Sequence, residues 1–375
     1  MSKAMSKAMS TKSDRLTFNI SDRAKLRSTL LQATNEPVLI HLNADTTWLV
    51  SLPYPPTATK KPVAAAVANS RSRFNILLEP GPQSDVASWF STQWHLVAPS
   101  VQTIDELNIL LIEVEQGEEV AKEAKTQQQT DTSKPASLID VVAISHEFTD
   151  HCHEATLKEL PRETPVFATE KAAELIRTWR HFDSVITTPG FSSDTGDWQK
   201  MLSVSPLPDW VGIGRVITAG NALYYHSAVM IAFKTVTPAS NREDDDQSSN
   251  TADAAAAAVV YSPHGIKASD LASVKSAGIE TRALLHGLHD VRIWMTKQLN
   301  LGALNGLEAV RASGAKYWIA THDEVKKGGG FIAPLLRRTQ YTVADAVQSE
   351  TKNMGDTAPD YEFIELNSGD ALVLA

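Results

Sequence analysis

Short apolar runs rich in β-branched residues alternate along this chain with longer stretches of helical periodicity. Runs at residues 37–42 and 47–52 flank an Asn-Ala-Asp turn at 43–45, which predicts a β-hairpin with antiparallel pairing. Further strands are predicted at 74–78 and 107–114. Helices are predicted at residues 152–160, 170–179, 268–276 and 304–312. Strands whose outer faces are covered by helices predict a layered α/β domain.

Four apolar runs share a second feature, because a histidine follows closely after each of them. The runs are residues 139–144, 257–261, 282–285 and 317–320, and the histidines are His146, His264, His286 and His322. In layered α/β folds, side chains at strand ends project from a rigid scaffold into a crevice. Imidazole is a general metal ligand, so a His/Asp cluster at such an edge suits Zn, Mn or Fe. Each histidine can alternatively serve only as a hydrogen-bonding group at a strand end.

Composition narrows the class of protein. The chain has 375 residues, of which 42% are hydrophobic, and this is enough for a substantial core. A net charge of -9 argues against nucleic-acid binding, so an anionic substrate would need a local cation or a metal. The single cysteine, Cys152, excludes an internal disulfide and predicts a reducing compartment. Without a membrane-length apolar segment or a secretory signal pattern, we expect a cytoplasmic protein without membrane association.

Polar, charge-rich segments indicate how the chain is organised. We expect residues 1–13 to be a disordered N-terminus and residues 14–375 to form one domain. Two disordered surface insertions are predicted within it, near 116–135 and 238–254, because each lies between strand-like runs.

The stretch ISHEFTDHCHEATL, residues 144–157, follows the first of the four runs. Its pattern H-x-F-x-D-H resembles the H-x-H-x-D-H signature of the metallo-β-lactamase superfamily, with Phe148 at the position of the second histidine. The stretches VLIHLNADTTWLVSLPYP, FNILLEP, SDVASWFSTQWH, YSPHG and THDE extend the resemblance over most of residues 35–335. They are similar to a fungal branch of the superfamily, distantly related to hydrolases of the ascorbate-phosphate lactonase type.

The resemblance implies a four-layer αββα sandwich with mixed β-sheets and a metal site along the edge between the two sheets. In the family pattern, the first two histidines and a mid-chain histidine hold one metal. The D-H pair and a late histidine hold a second metal, and a further aspartate bridges the two. His226 is the mid-chain candidate, although packing in the core or at the surface is the alternative for it. Phe148 therefore removes one ligand from the first metal position, and packing of His226 away from it would remove another.

The second position keeps its ligands. The resemblance matches Asp150 and His151 to the D-H pair and His322 to the late histidine, while His264 stands where the bridging aspartate is expected. These four residues predict one divalent ion, Zn in preference to Mn or Fe. Such an ion lowers the pKa of a bound water to about 7 and polarises a carbonyl or phosphoryl oxygen. Asp150 is then a ligand or the general base, and His146 an orienting residue or a proton shuttle.

Four further residues are candidates for substrate contact. His286 and His289 lie near a predicted strand end, and the alternative for them is a solvated turn. Lys326 and Lys327 precede three glycines, a stretch that can close over an anionic substrate or form a mobile surface loop. For Cys152, burial on a helix face is favoured over a catalytic role.

These observations together predict a metal-dependent hydrolase of a small ester, lactone or phosphorylated substrate, with a reduced, mononuclear site. The alternative is a catalytically inactive protein of the same fold that binds a ligand or a partner. A nuclease of the superfamily is disfavoured by the acidic charge balance. The oligomeric state is not indicated.

Overall fold

The computed structural model describes fifteen segments of the chain. They are residues 17–32, 35–43, 45–55, 71–81, 86–87, 92–95, 100–130, 136–191, 197–217, 226–235, 255–293, 297–323, 326–329, 333–354 and 360–375. The predicted N-terminal segment 1–13 and the predicted insertion near 238–254 lie outside the described residues.

Strands in these segments form two large sheets and two small ones. The strands are β1 Thr17–Asn19, β2 Val38–His41, β3 Trp48–Pro53, β4 Arg73–Leu78, β5 Val86–Ala87, β6 Thr92–His95, β7 Val141–Ile144, β8 Val166–Ala168, β9 Val185–Thr187, β10 Gly190–Phe191, β11 Val211–Val216, β12 Ala228–Lys234, β13 Ala256–Ser262, β14 Ile279–His286, β15 Asp290–Ile293, β16 Lys297–Asn300, β17 Tyr317–Ile319, β18 Lys326–Gly329, β19 Leu336–Thr339, β20 Glu362–Ile364 and β21 Asp370–Val373. The first large sheet has the order β1-β21-β2-β3-β4-β7-β8-β9, and the second has the order β10-β11-β12-β13-β14-β17-β20. The small sheets are β16-β15-β19 and β18-β6-β5.

Helices of the described segments are α1 Arg23–Gln32, α2 Ile104–Gln116, α3 Glu118–Thr130, α4 Glu154–Leu157, α5 Glu170–Thr178, α6 Trp198–Leu202, α7 Ala268–Ser276, α8 Ala303–Ser313 and α9 Val343–Met354. None of the described helices is long and apolar enough to cross a membrane.

Alternation of side chains along the strands produces three separate apolar cores. In β3, Trp48 and Val50 point into one core while Leu49 points into another. In β14, Leu285 joins the same core as Trp48, whereas Leu284 packs into a third core with helices α7 and α8. Since successive strand residues face opposite sides, one core lies between the sheets and the others lie under helices. The predicted four-layer αββα sandwich with mixed sheets is confirmed.

Parallel pairing brings several strand ends to the same edge of the sandwich. In the first sheet, β4 and β7 are parallel neighbours. In the second sheet, β13, β14 and β17 are parallel neighbours. Residues just beyond the carboxyl ends of these five strands therefore meet at one edge.

Several predicted elements are confirmed and three are corrected. The hairpin of β2 and β3 and the helices α5, α7 and α8 form close to their predicted positions. The run at 107–114 is not a strand but the middle of α2, whose buried leucines and isoleucines recur at helical spacing. Much of the predicted insertion near 116–135 is helix α3, in which Ala121 and Ala124 pack on the core. The helix predicted at 152–160 is only the short α4.

A buried ion pair stabilises the start of β4 and β7. Two nitrogens of Arg71 donate to the two carboxylate oxygens of Asp140 at 2.7 and 2.6 Å. The backbone N–H of Asn75 donates to the same carboxylate at 2.7 Å. Both side chains are almost fully buried, so either partner left alone would be an uncompensated charge inside the protein.

We predict that Asp140→Ala lowers the free energy of unfolding by about 3–5 kcal/mol, because it leaves the Arg71 guanidinium buried without its carboxylate. Chemical denaturation measures this change. Asp183→Ala is the matched control, since Asp183 pairs with Arg162 in water and its loss is expected to have little effect. Equal losses for the two variants would contradict the prediction.

Candidate metal centre

The loop after β7 carries three of the predicted site residues. Backbone N–H groups of His151 and Cys152 both donate to the carbonyl of Phe148, at 2.9 and 2.8 Å, and close a tight turn. This turn brings His146, Asp150 and His151 back to the edge of the sandwich. His264 follows β13 and His322 follows β17, so the second sheet contributes to the same edge.

Asp150, His151 and His322 form one group of potential ligands. Their ligand atoms lie within 4.8 Å of one another. Oδ2 of Asp150 is 3.8 Å from Nε2 of His151 and 3.8 Å from Nε2 of His322. Two ligands bound tetrahedrally to one zinc ion are about 3.4 Å apart, so these separations are close to those of a shared metal.

His146, His151 and His264 form a second group, which shares His151 with the first. The ring of His146 lies 3.9 Å from that of His151 and 4.5 Å from that of His264, measured between centroids. Neither nitrogen of the buried His146 ring has a hydrogen-bond partner among the described residues. Burial of such a polar group is costly unless something binds to it, and a metal ion satisfies this requirement. The predicted set of Asp150, His151, His264 and His322 is thus brought together, but distributed over two overlapping groups.

Three of the histidines are anchored at Nδ1 by a buried oxygen. Nδ1 of His151 lies 2.8 Å from Oε2 of Glu79, Nδ1 of His322 lies 2.7 Å from Oδ1 of Asp45, and Nδ1 of His264 lies 2.7 Å from Oδ1 of Asn300. A histidine that donates its Nδ1 proton to such an acceptor has its tautomer and ring orientation fixed, with Nε2 as the ligand atom. This pattern is typical of metal-binding histidines.

Glu79 is the most deeply buried of these anchors. Its carboxylate also accepts the backbone N–H of Ser145 at 2.5 Å and the hydroxyl of Ser145 at 3.0 Å. Burial raises the pKa of Glu79 well above its usual range, although the bonds from Ser145 oppose that shift. Glu79 has a φ of +52° and His322 a φ of +61°, in the left-handed region that L residues seldom adopt. Such strain persists only where the surrounding structure holds the residue in place. Strained residues of this kind are concentrated at functional sites.

The backbone of Asp150 is held from the first sheet. The hydroxyl of Thr46 donates to its carbonyl oxygen at 2.6 Å. Gly81 approaches the same carbonyl so closely that a Cβ there would overlap the oxygen. A glycine at this position therefore lets the β4 loop pack directly against the Asp150 turn.

Phe148 lies at the mouth of the histidine cluster. Its ring is 4.8 Å from that of His146 and 6.0 Å from that of His264, and 39% of the residue is exposed. His226 is in neither ligand group of the described residues, and its Nε2 lies 2.9 Å from the carbonyl oxygen of Leu299. Neither Phe148 nor His226 therefore contributes to the two ligand groups of the described residues.

The predicted substrate residues have different surroundings. His286 is fully buried, with Nδ1 at 2.7 Å from the carbonyl of Gly287 and Nε2 at 2.9 Å from Oδ1 of Asn305. The predicted substrate contact of His286 is wrong, because strand alternation turns its ring toward α8 and the helix-covered core. His289 remains partly exposed. The backbone of Lys326 and Lys327 forms strand β18 beside β6 instead of a loop, and their side chains lie outside the described part of the structure.

Sequence reasoning missed the three anchors, Glu79, Asp45 and Asn300. Glu79 follows an apolar run and precedes a proline. A charged residue at the end of a predicted strand could have indicated a residue of the site. Asp45 was assigned only to the hairpin turn. Asn300 lies at the end of β16, without any local pattern that predicts a contact with His264.

No protein-family model matches this sequence, and no curated protein matches it. Similar solved structures include isothiocyanate hydrolase from Delia radicum gut bacteria, with 13% identity and a TM-score of 0.46 over 89% of this chain and 98% of that one. A possible metal-dependent hydrolase from Veillonella parvula has 13% identity and a TM-score of 0.45 over 90% and 99%. The metallo-β-lactamase fold protein YhfI from Bacillus subtilis has 12% identity and a TM-score of 0.41 over 90% and 99%. These neighbours at low identity are hydrolases or proteins of the metallo-β-lactamase fold, and their activities are properties of those proteins.

We predict that Asp45→Asn weakens zinc binding by roughly ten- to a hundred-fold, because a neutral amide supports the His322 imidazole less well than a carboxylate does. Competition with a chelator of known zinc affinity measures the change. Asp183→Asn, on the surface away from the cluster, is the control and should bind zinc as the unmodified protein does. Unchanged affinity in Asp45→Asn would show that the contact does not support a ligand.

Cys152 is buried in the core as predicted, although it precedes helix α4 instead of lying on a helix face, and burial raises the pKa of its thiol. We therefore expect iodoacetamide to modify it far more slowly in the native protein than in the protein unfolded in urea. Mass spectrometry of the alkylated chain measures both rates. Rapid modification of the native protein would contradict the burial.

Proposed function

We propose that this protein is a metal-dependent hydrolase of a small ester, lactone or phosphorylated substrate, with a single divalent metal ion. The observation that supports it is the convergence of four histidines and Asp150 at one edge of the sandwich, with buried oxygens orienting three of the rings. A cluster that serves only packing has no need of such orientation. Three or four N/O ligands with an open position are typical of catalytic zinc.

The two overlapping groups favour one ion over two. Nε2 of His151 has a single lone pair, so it can coordinate the ion beside Asp150 and His322 or the ion beside His146 and His264, but not both. We place the ion with Asp150, His151 and His322, where a carboxylate contributes negative charge, and assign His264 as the fourth ligand from the adjoining group. Zn fits this N/O set, as do Mn and Fe.

When bound, the metal acts as a Lewis acid that polarises the substrate oxygen and lowers the pKa of a water to about 7. The side chain of Asp150 is 20% exposed, so its carboxylate can face the substrate, as a ligand or as the group that accepts the proton of the attacking water. Burial lowers the pKa of His146 well below its usual range, so its ring is neutral near pH 7. The neutral ring, whose nitrogens have no hydrogen-bond partner among the described residues, can hydrogen-bond to the water and orient it.

The proposal also includes the relationship of this protein to other hydrolases, its location in the cell and one substrate contact. Relation to a fungal branch, distantly similar to ascorbate-phosphate lactonase-type hydrolases, is supported by the quoted sequence stretches. A cytoplasmic location is supported by the single, buried cysteine. We assign His289 to substrate contact because it remains partly exposed within electrostatic range of His322.

A catalytically inactive binding protein is the second candidate, and Phe148 favours it. An exposed aromatic ring against His146 covers part of the cluster and replaces a ligand of the first metal. A pocket of this kind could bind a ligand without turning it over.

Metal analysis of the purified protein separates the two candidates. We predict about one equivalent of Zn, Mn or Fe in the unmodified protein and its loss in His151→Ala. His181→Ala is the matched control, because His181 hydrogen-bonds the carbonyl of Leu160 away from the cluster and should leave the metal content unchanged. Less than about a tenth of an equivalent after reconstitution would exclude the hydrolase and favour the binding protein.

A further inference from the structure

Strand β19 places an arginine beside the histidine cluster. β19 pairs antiparallel with β15, and Arg338 lies opposite Val291, two residues after His289. A nitrogen of the Arg338 guanidinium lies 3.2 Å from Nδ1 of His289. Neighbouring Arg337 lies on the other face of the strand, because side chains alternate along it.

The contact between Arg338 and His289 fixes the tautomer of His289. A guanidinium only donates hydrogen bonds, so Nδ1 of His289 must be the acceptor and Nε2 must carry the proton. Burial, Arg338 and His322 together lower the pKa of His289 to about 4, so the ring is neutral at pH 7. His289 is therefore an N–H donor held beside a permanent cation.

Both residues lie within electrostatic range of the proposed metal ligands. Arg338 interacts with Asp45, which anchors His322, and with Asp323, the residue after His322. The Asp323 carboxylate already accepts the backbone N–H groups of Leu288 and His289 at 2.7–2.9 Å. These bonds hold the segment that carries His289 against the residue next to His322.

A cation and an N–H donor at this position suit an anionic group. The chain has a net charge of -9, and several carboxylates surround the cluster, so a cation in addition to the proposed metal would favour the approach of an anionic substrate. Guanidinium binds carboxylate and phosphate groups with two parallel hydrogen bonds. An ester or lactone with such a group would be oriented by it, with its reacting carbonyl or phosphoryl group toward the metal ligands.

We propose that Arg338 and His289 form the subsite for the anionic group of the substrate, a carboxylate or a phosphate. This inference rests on the proposed function, because it assigns the substrate class of the same site. In this subsite, His289 donates a hydrogen bond from its Nε2–H to the anionic group. The sequence also predicts contact between His289 and the substrate.

Binding of inorganic phosphate and of acetate to the zinc-loaded full chain tests the proposal by calorimetric titration. We expect Arg338→Gln to weaken the better-bound anion by roughly ten- to a hundred-fold, because charge-assisted hydrogen bonds are lost. Arg337→Gln, the matched control, changes the net charge equally and should bind both anions as before. The anion that shows the larger loss identifies the substrate group as carboxylate or phosphate.

Unchanged affinity in Arg338→Gln, or equal losses in Arg337→Gln, would overturn the subsite. If Arg338→Gln fails to fold, Arg338→Lys keeps the charge without the two parallel hydrogen bonds and is expected to lose several-fold in affinity. Zinc content is measured in the same samples. Full zinc in Arg338→Gln with unchanged anion binding would reject the subsite alone, whereas failure of the unmodified protein to bind Zn, Mn or Fe would reject the proposed function.

Discussion

The hydrogen bond between the buried carboxylate of Glu79 and Nδ1 of His151 is the contact on which the candidate site depends. It joins the end of β4 to the loop after β7 and fixes the orientation of the one histidine that both ligand groups share. A carboxylate in the interior is costly, and here Ser145 and the imidazole compensate for it. Glu79 makes these contacts from a left-handed backbone conformation, with a φ of +52°.

The layered architecture explains why the anchors come from separate parts of the sequence. Parallel neighbours end at a common edge, so residues after β4, β7, β13 and β17 meet there although they are distant in the chain. Asp45 reaches this edge from the hairpin turn between β2 and β3, and Asn300 reaches it from β16. Each oxygen fixes one imidazole, so the geometry of the cluster is determined by the scaffold before any ion binds.

The sequence predicted the layered fold and the histidines at the strand ends. It did not predict every helix or the residues that anchor the histidines. Strand ends followed by histidines identified His146, His264 and His322, because apolar runs and strand direction are local properties. The same reasoning failed for His286, which is the last residue of β14 instead of lying two or three residues beyond the strand, and whose side chain therefore faces the helix-covered side. The middle of helix α2 was predicted as a strand because the run at 107–114 is too short to distinguish a buried strand from a buried helix, and the helical spacing is clear only over the whole of residues 104–116. The anchors Asp45 and Asn300 were not predictable, since each is defined by a contact across the fold.

The proposed ligands come from both large sheets, so an ion bound by them would hold the two sheets together. Asp150 and His151 follow a strand of the first sheet, whereas His264 and His322 follow strands of the second. An ion held by both pairs is a cross-link between the two halves of the sandwich, closing a long stretch of chain as a disulfide would. With the proposed ion bound, separation of the sheets would require its release, and the protein would then resist unfolding more strongly as the concentration of the metal rises.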